Sequence, residues 1–213
     1  MLTKVIPEEK VIATYKAIQR ARRIVIVAHK RPDGDAIGSC LGLYHFLYSF
    51  ERETFVILPD AIPANMSILP SSSEIINFEQ NEEHCKTIIA ETDLIFCLDF
   101  NTLSRLEALS DAINENTTAK RILIDHHLSP PKGYDLLFSH PESSSTSYLV
   151  ALIIERLFGW KAVTQEMAEA LYVGMMTDTG NFSFSNLTPE LYQSLAVLSS
   201  TGINIPQIYN NVY

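Results

Sequence analysis

Residues 24–44 read IVIVAHKRPDGDAIGSCLGLY, a strand followed by a turn and a helix. The five apolar, mostly β-branched residues at 24–28 predict a buried parallel strand. The helix is predicted from the spacing of Ile37, Cys40, Leu41 and Tyr44. The turn between strand and helix carries one imidazole and two carboxylates, on His29, Asp33 and Asp35. The sequence therefore places ionisable side chains at the carboxyl end of a buried strand.

This group of side chains indicates a metal and phosphate site, because charges at a strand end are costly unless a cation balances them. Gly34 and Gly38 permit tight turns, and we expect Gly38-Ser39 to open the helix with free N–H groups for an anion. A structural alternative stays open at this point. Asp33 or Asp35 can cap the helix, and His29 can be a hydrogen-bonded core residue.

The chain has 213 residues, 46% of them hydrophobic and 19% charged, and we expect a soluble intracellular protein. The formal net charge of −9 argues against a duplex-DNA surface, which needs a basic stripe. Three cysteines without a CxxC spacing favour a reducing cytoplasm over a disulfide framework. We find no signal peptide and no apolar run of the roughly 20 residues that span a membrane.

Strands alternate with helices along the first two thirds of the chain. Besides the strand at 24–28, the patterns predict strands at residues 55–58, 74–78, 94–98 and 121–124, and helices at residues 5–23, 84–91 and 103–113. After residue 140 only helices are predicted, capped by Ser145, Thr164 and Thr188 and reaching Phe158, Thr177 and Gly202. This order predicts an α/β fold with an open, mostly parallel, Rossmann-like sheet flanked by helices, and a C-terminal helical extension.

Three acidic or histidine clusters directly follow predicted strands, and a fourth ends a predicted helix. The clusters are His29/Asp33/Asp35, Asp99, Asp125/His126/His127, and Asp178 in a glycine-flanked turn. Ligands of open α/β sheets gather outside the carboxyl ends of the strands, so we expect these segments to meet. Taken alone, each cluster is explained by helix capping or chance.

The charges of the converging residues indicate two divalent cations. Four carboxylates in one crevice would repel each other and raise each other's pKa, and two divalent ions would cancel that charge. Oxygen and imidazole ligands without a thiolate suit Mn²⁺ or Mg²⁺. Two such ions can clamp a phosphoryl group and activate water.

Four segments of the chain, HKRPDGDAIGS, LDF, DHH and MTDTG, resemble the four motifs of the DHH phosphoesterase superfamily. They extend from His29 to the segment that holds Asp178. The superfamily includes RecJ-like nucleases, nanoRNases that dephosphorylate 3′-phosphoadenosine-5′-phosphate (pAp), cyclic dinucleotide phosphodiesterases, family II pyrophosphatases and exopolyphosphatases. The SSTS segment and TDTGNF make the chain most similar to the nanoRNase and pAp-phosphatase branch.

The resemblance implies a set of metal ligands. It implies that one Mn²⁺ is held by His29 and Asp33 and a second by Asp35, His126 and Asp178. Asp99 would bridge the two ions, and Mg²⁺ is an alternative metal.

The resemblance also implies roles in catalysis. His127 and Asp99 are the predicted catalytic residues, and His127 would touch the substrate phosphate or act as an acid. Asp125 would orient a histidine by a hydrogen bond. Gly38 and Ser39, together with His127, would bind phosphate.

The predicted function is Mn-dependent hydrolysis of phosphodiester or phosphomonoester bonds in small nucleotides, namely pAp and short single-stranded oligoribonucleotides. Cyclic or linear dinucleotides and polyphosphate are alternative substrates. We expect residues 1–213 to be the DHH domain alone, because the sequence lacks the glycine-rich motif of the family's second, substrate-binding domain, and residues 202–213 to enter a linker. A metal-binding domain without turnover is the non-enzymatic alternative, and a homodimer is left open.

Overall fold

The sheet determines where the clusters meet. The structure, a computed structural model, describes residues 6–129, 132–184 and 186–213. The strands of the described chain are β1 Arg23–Val27, β2 Glu53–Leu58, β3 Ile75–Asn77, β4 Leu94–Leu98, β5 Lys120–Asp125 and β6 Leu136–Ser139. Their order is β3-β2-β1-β4-β5-β6, and every neighbouring pair is parallel. The α/β prediction is confirmed, with a fully parallel sheet.

Helices cover both faces of this sheet. They are α1 Glu8–Arg20, α2 Gly34–Tyr48, α3 Glu82–Ala90, α4 Leu109–Glu115, α5 Thr146–Phe158, α6 Gln165–Asp178, α7 Pro189–Ser200 and α8 Ile205–Val212. Side chains alternate along β1, so Ile24 and Ile26 face α1, α2, α5 and α6, while Val25 and Val27 face α3 and α4. Within the described ranges, no helix is both long and apolar enough to span a bilayer.

Local capping accounts for the starts of the later helices. The hydroxyl oxygens of Ser145, Thr164 and Thr188 accept hydrogen bonds from backbone N–H groups in the first turns of α5, α6 and α7. Pro189 occupies the first turn of α7, where its missing N–H costs nothing. These three helix starts agree with the sequence prediction.

Several predicted elements differ from the structure. The predicted helix at 103–113 is a 3-10 turn, Leu103–Leu106, followed by α4, because Glu107 between them has φ 47°. The edge strand β6 was not predicted. Residues 202–213 contain α8, which buries Ile208 and Val212, and that this segment enters a linker stays a prediction. Residue 5 of the predicted helix at 5–23 lies outside the described residues. The helix, α1, ends at Arg20, and Arg23 already begins β1.

Helix α1 contacts β6, the edge strand on the side of the sheet opposite to β3. Lys10 Nζ on α1 donates a hydrogen bond to the carbonyl oxygen of Leu137 on β6, at 2.6 Å. Glu8 forms an ion pair with Arg156 of α5. The helix that precedes β1 therefore packs against elements that follow β5.

Close packing of α2 on α6 explains three glycines that repeat every fourth residue of α2. A Cβ on Gly34 would meet the Thr177 side chain, one on Gly38 would lie 2.5 Å from the Ala170 carbonyl oxygen, and one on Gly42 would meet Leu171. These glycines serve helix packing, so the expectation that Gly34 and Gly38 form tight turns is wrong.

The predicted helix start at Gly38-Ser39 is also wrong. The helix begins at Gly34, so Gly38 and Ser39 lie one turn inside α2. Ser39 is fully buried, and its hydroxyl donates to the carbonyl oxygen of Ala36 at 3.1 Å. The structural reason for placing phosphate on these two residues is therefore lost.

Candidate metal centre

Three neighbouring strands deliver the ionisable side chains to one edge of the sheet. The strand order reverses at β1 and β4, and in open α/β sheets ligands bind at such a switch point, at the carboxyl ends of the strands. The segments that follow β1, β4 and β5 carry His29, Asp99 and His126, and the last residue of α6 is Asp178. The structure brings together all four predicted clusters.

Asp99 lies at the centre of this group. Its Oδ2 is 3.5 Å from His29 Nε2, and its Oδ1 is 3.6 Å from His126 Nε2. The side chain is only 2% exposed. Each oxygen of one buried carboxylate thus faces a different imidazole.

On one side of Asp99, His29 is grouped with Asp33. His29 Nε2 is 3.8 Å from Asp33 Oδ2. The other oxygen of Asp33 accepts hydrogen bonds from the N–H groups of Asp35 and Ala36, both at 3.0 Å. Asp33 is therefore the helix cap that the structural alternative proposed, and its second oxygen still faces the cluster.

On the other side of Asp99, His126 is grouped with Asp35 and Asp178. Its Nε2 is 3.8 Å from Asp35 Oδ2 and 3.3 Å from Asp178 Oδ2. Asp35 is buried, and its two oxygens accept the backbone N–H groups of Thr146 and Ser147 at 2.7 and 2.8 Å. The first turn of α5 therefore fixes both oxygens of this carboxylate.

The imidazoles are oriented by their Nδ1 atoms. Carbonyl oxygens can only accept, so Nδ1–H donates to Lys30 in His29, at 2.9 Å, and to Ser143 in His126, at 3.3 Å. The Nε2 atoms of both rings then face the carboxylates. Ligating histidines show this arrangement, with the outer N–H held by a carbonyl or carboxylate.

His127 differs from the other two histidines. Its Nδ1 lies 2.7 Å from Asp125 Oδ1, a contact between an imidazole and a fully buried carboxylate. That hydrogen bond raises the pKa of His127, against the effect of burial. Asp99, His126 and His127 also form a group with ligand-type atoms within 4.8 Å of one another. Because Asp125 occupies Nδ1, only Nε2 of His127 is free for substrate.

The raised pKa values of Asp35 and Asp178 show that the protein does not fully compensate the negative charge of these two acids. Burial and the charges of Asp99 and Asp178 raise the pKa of Asp35 well above its usual range. Burial also raises the pKa of Asp178 to about 6, with Asp99 and Asp33 adding to the shift. For Asp99, the three imidazoles outweigh burial and lower the pKa. The carboxylates repel one another, so their close approach is maintained by the packing of the fold.

The residues present fit divalent cations. Two groups, His29/Asp33/Asp99 and Asp35/His126/Asp178, each place three ligand-type atoms within 4.8 Å of one another. The separations of 3.3 to 3.8 Å exceed a normal N–H···O hydrogen bond. Ligands about 2.1 Å from a shared ion lie about 3 to 3.5 Å apart. Two such sets beside one carboxylate are suited to two ions.

Three hydrogen bonds from the first turn of α5 support two acids of the cluster. The hydroxyl of Thr146 donates to Asp99 Oδ1 at 2.9 Å, and the N–H groups of Thr146 and Ser147 hold Asp35. Thr146 therefore contacts two of the acids, Asp35 and Asp99. The SSTS segment was the only signal available for these contacts.

Comparisons with known proteins find relatives along most of this chain. The NrnA protein of Thermus thermophilus, named a bifunctional oligoribonuclease and PAP phosphatase, is 31% identical over 186 residues, covering 87% of this chain and 52% of that protein. The crystal structure of an exopolyphosphatase-related protein from Bacteroides fragilis superposes with a TM-score of 0.96 at 43% identity, covering 99% of this chain and 62% of that one.

A more distant structure shares the fold alone. Exonuclease RecJ bound to manganese superposes with a TM-score of 0.56 at 16% identity, covering 93% of this chain and 49% of that one. The chain spans about half the length of the curated relatives that it matches. The family profile described as "DHH family, N-terminal domain" matches residues 23–175, which contain all of the cluster except Asp178. This chain belongs to the DHH family.

Proposed function

We propose that this chain is a metal-dependent phosphoesterase that hydrolyses phosphodiester or phosphomonoester bonds of small nucleotides with a dinuclear manganese centre. The observation that carries the proposal is the position of Asp99, whose two oxygens face His29 and His126 on opposite sides. A bridging carboxylate between two ions requires this arrangement. The RecJ structure contains manganese, which supports the choice of metal.

The proposed ligands are His29 and Asp33 for one ion and Asp35, His126 and Asp178 for the other, with Asp99 shared. Bound cations would supply positive charge to a phosphoryl group and lower the pKa of water. The protein's own part is to hold the ligands, through the first turn of α5 and the carbonyl groups at the histidines.

His127 has the position of a proton donor in this proposal. Asp125 fixes its Nδ1, which leaves Nε2 to contact a phosphate oxygen or to protonate the leaving group. The raised pKa of His127 increases its protonated fraction near neutral pH. His127 and Asp99 are thus the proposed catalytic residues, with Asp125 positioning His127.

The proposed substrates are pAp and short single-stranded oligoribonucleotides, which the name of the Thermus relative supports. Cyclic dinucleotides and polyphosphate remain the competing substrates. That residues 1–213 form the metal-binding half of a two-domain enzyme, and that the protein works in the cytoplasm, stay predictions.

Metal titration with an isosteric variant tests the proposal. We expect the wild type to bind two Mn²⁺ per chain in titration calorimetry and to release phosphate from pAp or mononucleotides from a short oligoribonucleotide. Asp99→Asn keeps the shape but removes the shared charge, so binding should weaken and turnover should fall by about 100-fold or more. Asp111→Asn, an exposed acid on α4, serves as the matched control.

Two results would contradict the proposal in different ways. If the wild type binds no Mn²⁺, the proposed metal-dependent hydrolysis is rejected. A wild type that binds two ions but hydrolyses neither these substrates, a cyclic dinucleotide, polyphosphate nor an activated aryl phosphate is a metal-binding domain without turnover.

A further inference from the structure

A basic residue that the metal-binding groups do not use lies near the two loops that carry His29 and His127. Arg105 belongs to the 3-10 turn that follows β4, and its side chain is exposed. The next residue, Leu106, is fully buried in the core that the sheet forms with α3 and α4. The backbone of Arg105 is therefore anchored although its guanidinium is in solvent.

Two long-range hydrogen bonds hold this turn at the rim of the acidic cluster. The N–H of Lys30, in the loop after β1, donates to the carbonyl oxygen of Arg105 at 2.8 Å. The side-chain amide of Asn101 donates to the carbonyl oxygen of Leu128, next to His127, at 2.7 Å. The segment from Asn101 to Arg105 thus bridges the two loops that carry the histidines.

The local charges leave Arg105 available for an anion. Its neighbour Lys30 is neutralised, with Nζ 2.6 Å from Glu107 and 3.2 Å from Glu79. Across the part of the chain that the structure describes, no carboxylate lies within 4.0 Å of the Arg105 guanidinium.

Asp99 and Asp35 differ from Arg105 in burial, and this difference defines two positions at which a phosphate can bind. Asp99 and Asp35 are buried, so a phosphate reacting at the cations lies inward, while the exposed Arg105 lies further out. We propose that Arg105 binds a second phosphate of the substrate, one that is not hydrolysed, and so selects nucleotides with two phosphates separated by a ribose. Arginine suits this role because its planar fork binds phosphate oxygens in pairs. The inference rests on the proposed function, because it takes the acidic cluster as the place of reaction.

Binding of two analogues tests the inference without turnover. The first probe is the bisphosphonate analogue of adenosine 3′,5′-bisphosphate, and the second is the 5′-monophosphonate analogue of AMP. Their carbon–phosphorus bonds cannot be hydrolysed. In Mn²⁺, we expect Arg105→Ala to weaken the bisphosphonate about 10-fold or more and to leave the monophosphonate unchanged, since an arginine–phosphate contact is lost. Arg105→Lys should be intermediate.

Arg20→Ala is the matched control. Arg20 is an exposed arginine at the end of α1, directly before β1, and so lies at the amino ends of the strands, away from the cluster. Equal weakening of both analogues would overturn the inference, because Arg105 would then contact the reacting phosphate. No weakening in Arg105→Ala, or a wild type that binds neither analogue, would also overturn it. A wild type with Arg105-dependent binding but no hydrolysis of any ester would leave the inference standing and reject the proposed function.

Discussion

The backbone of Asp99 has φ 61°, a left-handed conformation that costs about 1–3 kcal/mol in a residue other than glycine. Its N–H still donates to the carbonyl oxygen of Ile124 on β5, at 3.1 Å. The sheet therefore holds the strained residue in place. Strain of this kind concentrates at functional sites, and here it coincides with the carboxylate that lies between two imidazoles.

Thr146 gives a test of how Asp99 is held. Thr146→Val keeps the shape and the backbone N–H to Asp35 but removes the hydroxyl that donates to Asp99. We expect a loss of about 1–3 kcal/mol in unfolding free energy or in Mn²⁺ binding, because a buried carboxylate loses a donor. Denaturant unfolding and Mn²⁺ titration measure the two effects.

The matched control is Thr146→Ser, which retains the hydroxyl and should behave like the wild type in both measurements. If Thr146→Val has the stability and Mn²⁺ affinity of the wild type, the contact with Asp99 contributes nothing.

At the scale of residues, the sequence predicted the side chains of the cluster and a role for Asp125 at a histidine, but not the contacts that hold the acids. Strand ends and motif spacing were enough to place His29, Asp99 and His126 together. The contacts of Asp35 with Thr146 and Ser147 join residues more than 100 positions apart through backbone N–H groups, which leave no mark in side-chain identity. The position of Arg105 is equally hidden from the sequence, because the N–H of Lys30 donates a hydrogen bond to its backbone carbonyl oxygen.

Among the elements, α2 and α6 set the distance between Asp35 and Asp178. We expect Gly38→Ala to destabilise the protein by about 1–3 kcal/mol, because its Cβ would meet backbone atoms of α6 that cannot move aside. It should also weaken Mn²⁺ binding, since the two carboxylates move apart. Denaturant midpoints and Mn²⁺ titration check both effects.

Gly42→Ala is the control on the same face of α2, with the same gain of about 1 kcal/mol in helix propensity. Its Cβ would meet the side chain of Leu171, which can rotate, so its loss should be smaller. Equal losses in the two variants would show that helix separation is not what Gly38 prevents.

Elements with strong local signals were predicted correctly, and the others depend on tertiary packing. Caps such as Ser145 and Thr188 act within one turn, so they are visible in the sequence. Strand β6 has four residues and is completed by pairing with β5, and α8 depends on burial of Ile208 and Val212. The break at Glu107 comes from its positive φ, which the presence of a glutamate does not predict.

For the whole molecule, the acidic cluster opposes folding in a chain that already carries a net charge of −9. We expect Asp178→Asn to raise the stability of the metal-free protein by about 0.5–2 kcal/mol, because one repelling charge is removed. The measurement is thermal melting in EDTA at pH 8, where Asp178, with a pKa of about 6, is ionised.

The same variant should lose the stabilisation by Mn²⁺. Ions that bind only the folded wild type at 100 times the dissociation constant add about 2.7 kcal/mol. Asp111→Asn should melt like the wild type with and without Mn²⁺. A metal-free Asp178→Asn protein that melts below the wild type would mean that Asp178 stabilises the fold by itself.

The contact of α1 with β6 and α5 has a consequence for the order of folding. The hydrogen bond from Lys10 to Leu137 joins residues 127 positions apart. During synthesis, α1 leaves the ribosome long before β6 and α5, which bury it. Until these elements are made, α1 stays exposed to solvent or only transiently helical. Docking of α1 therefore waits for β6 and α5, and the long loop closure slows this step.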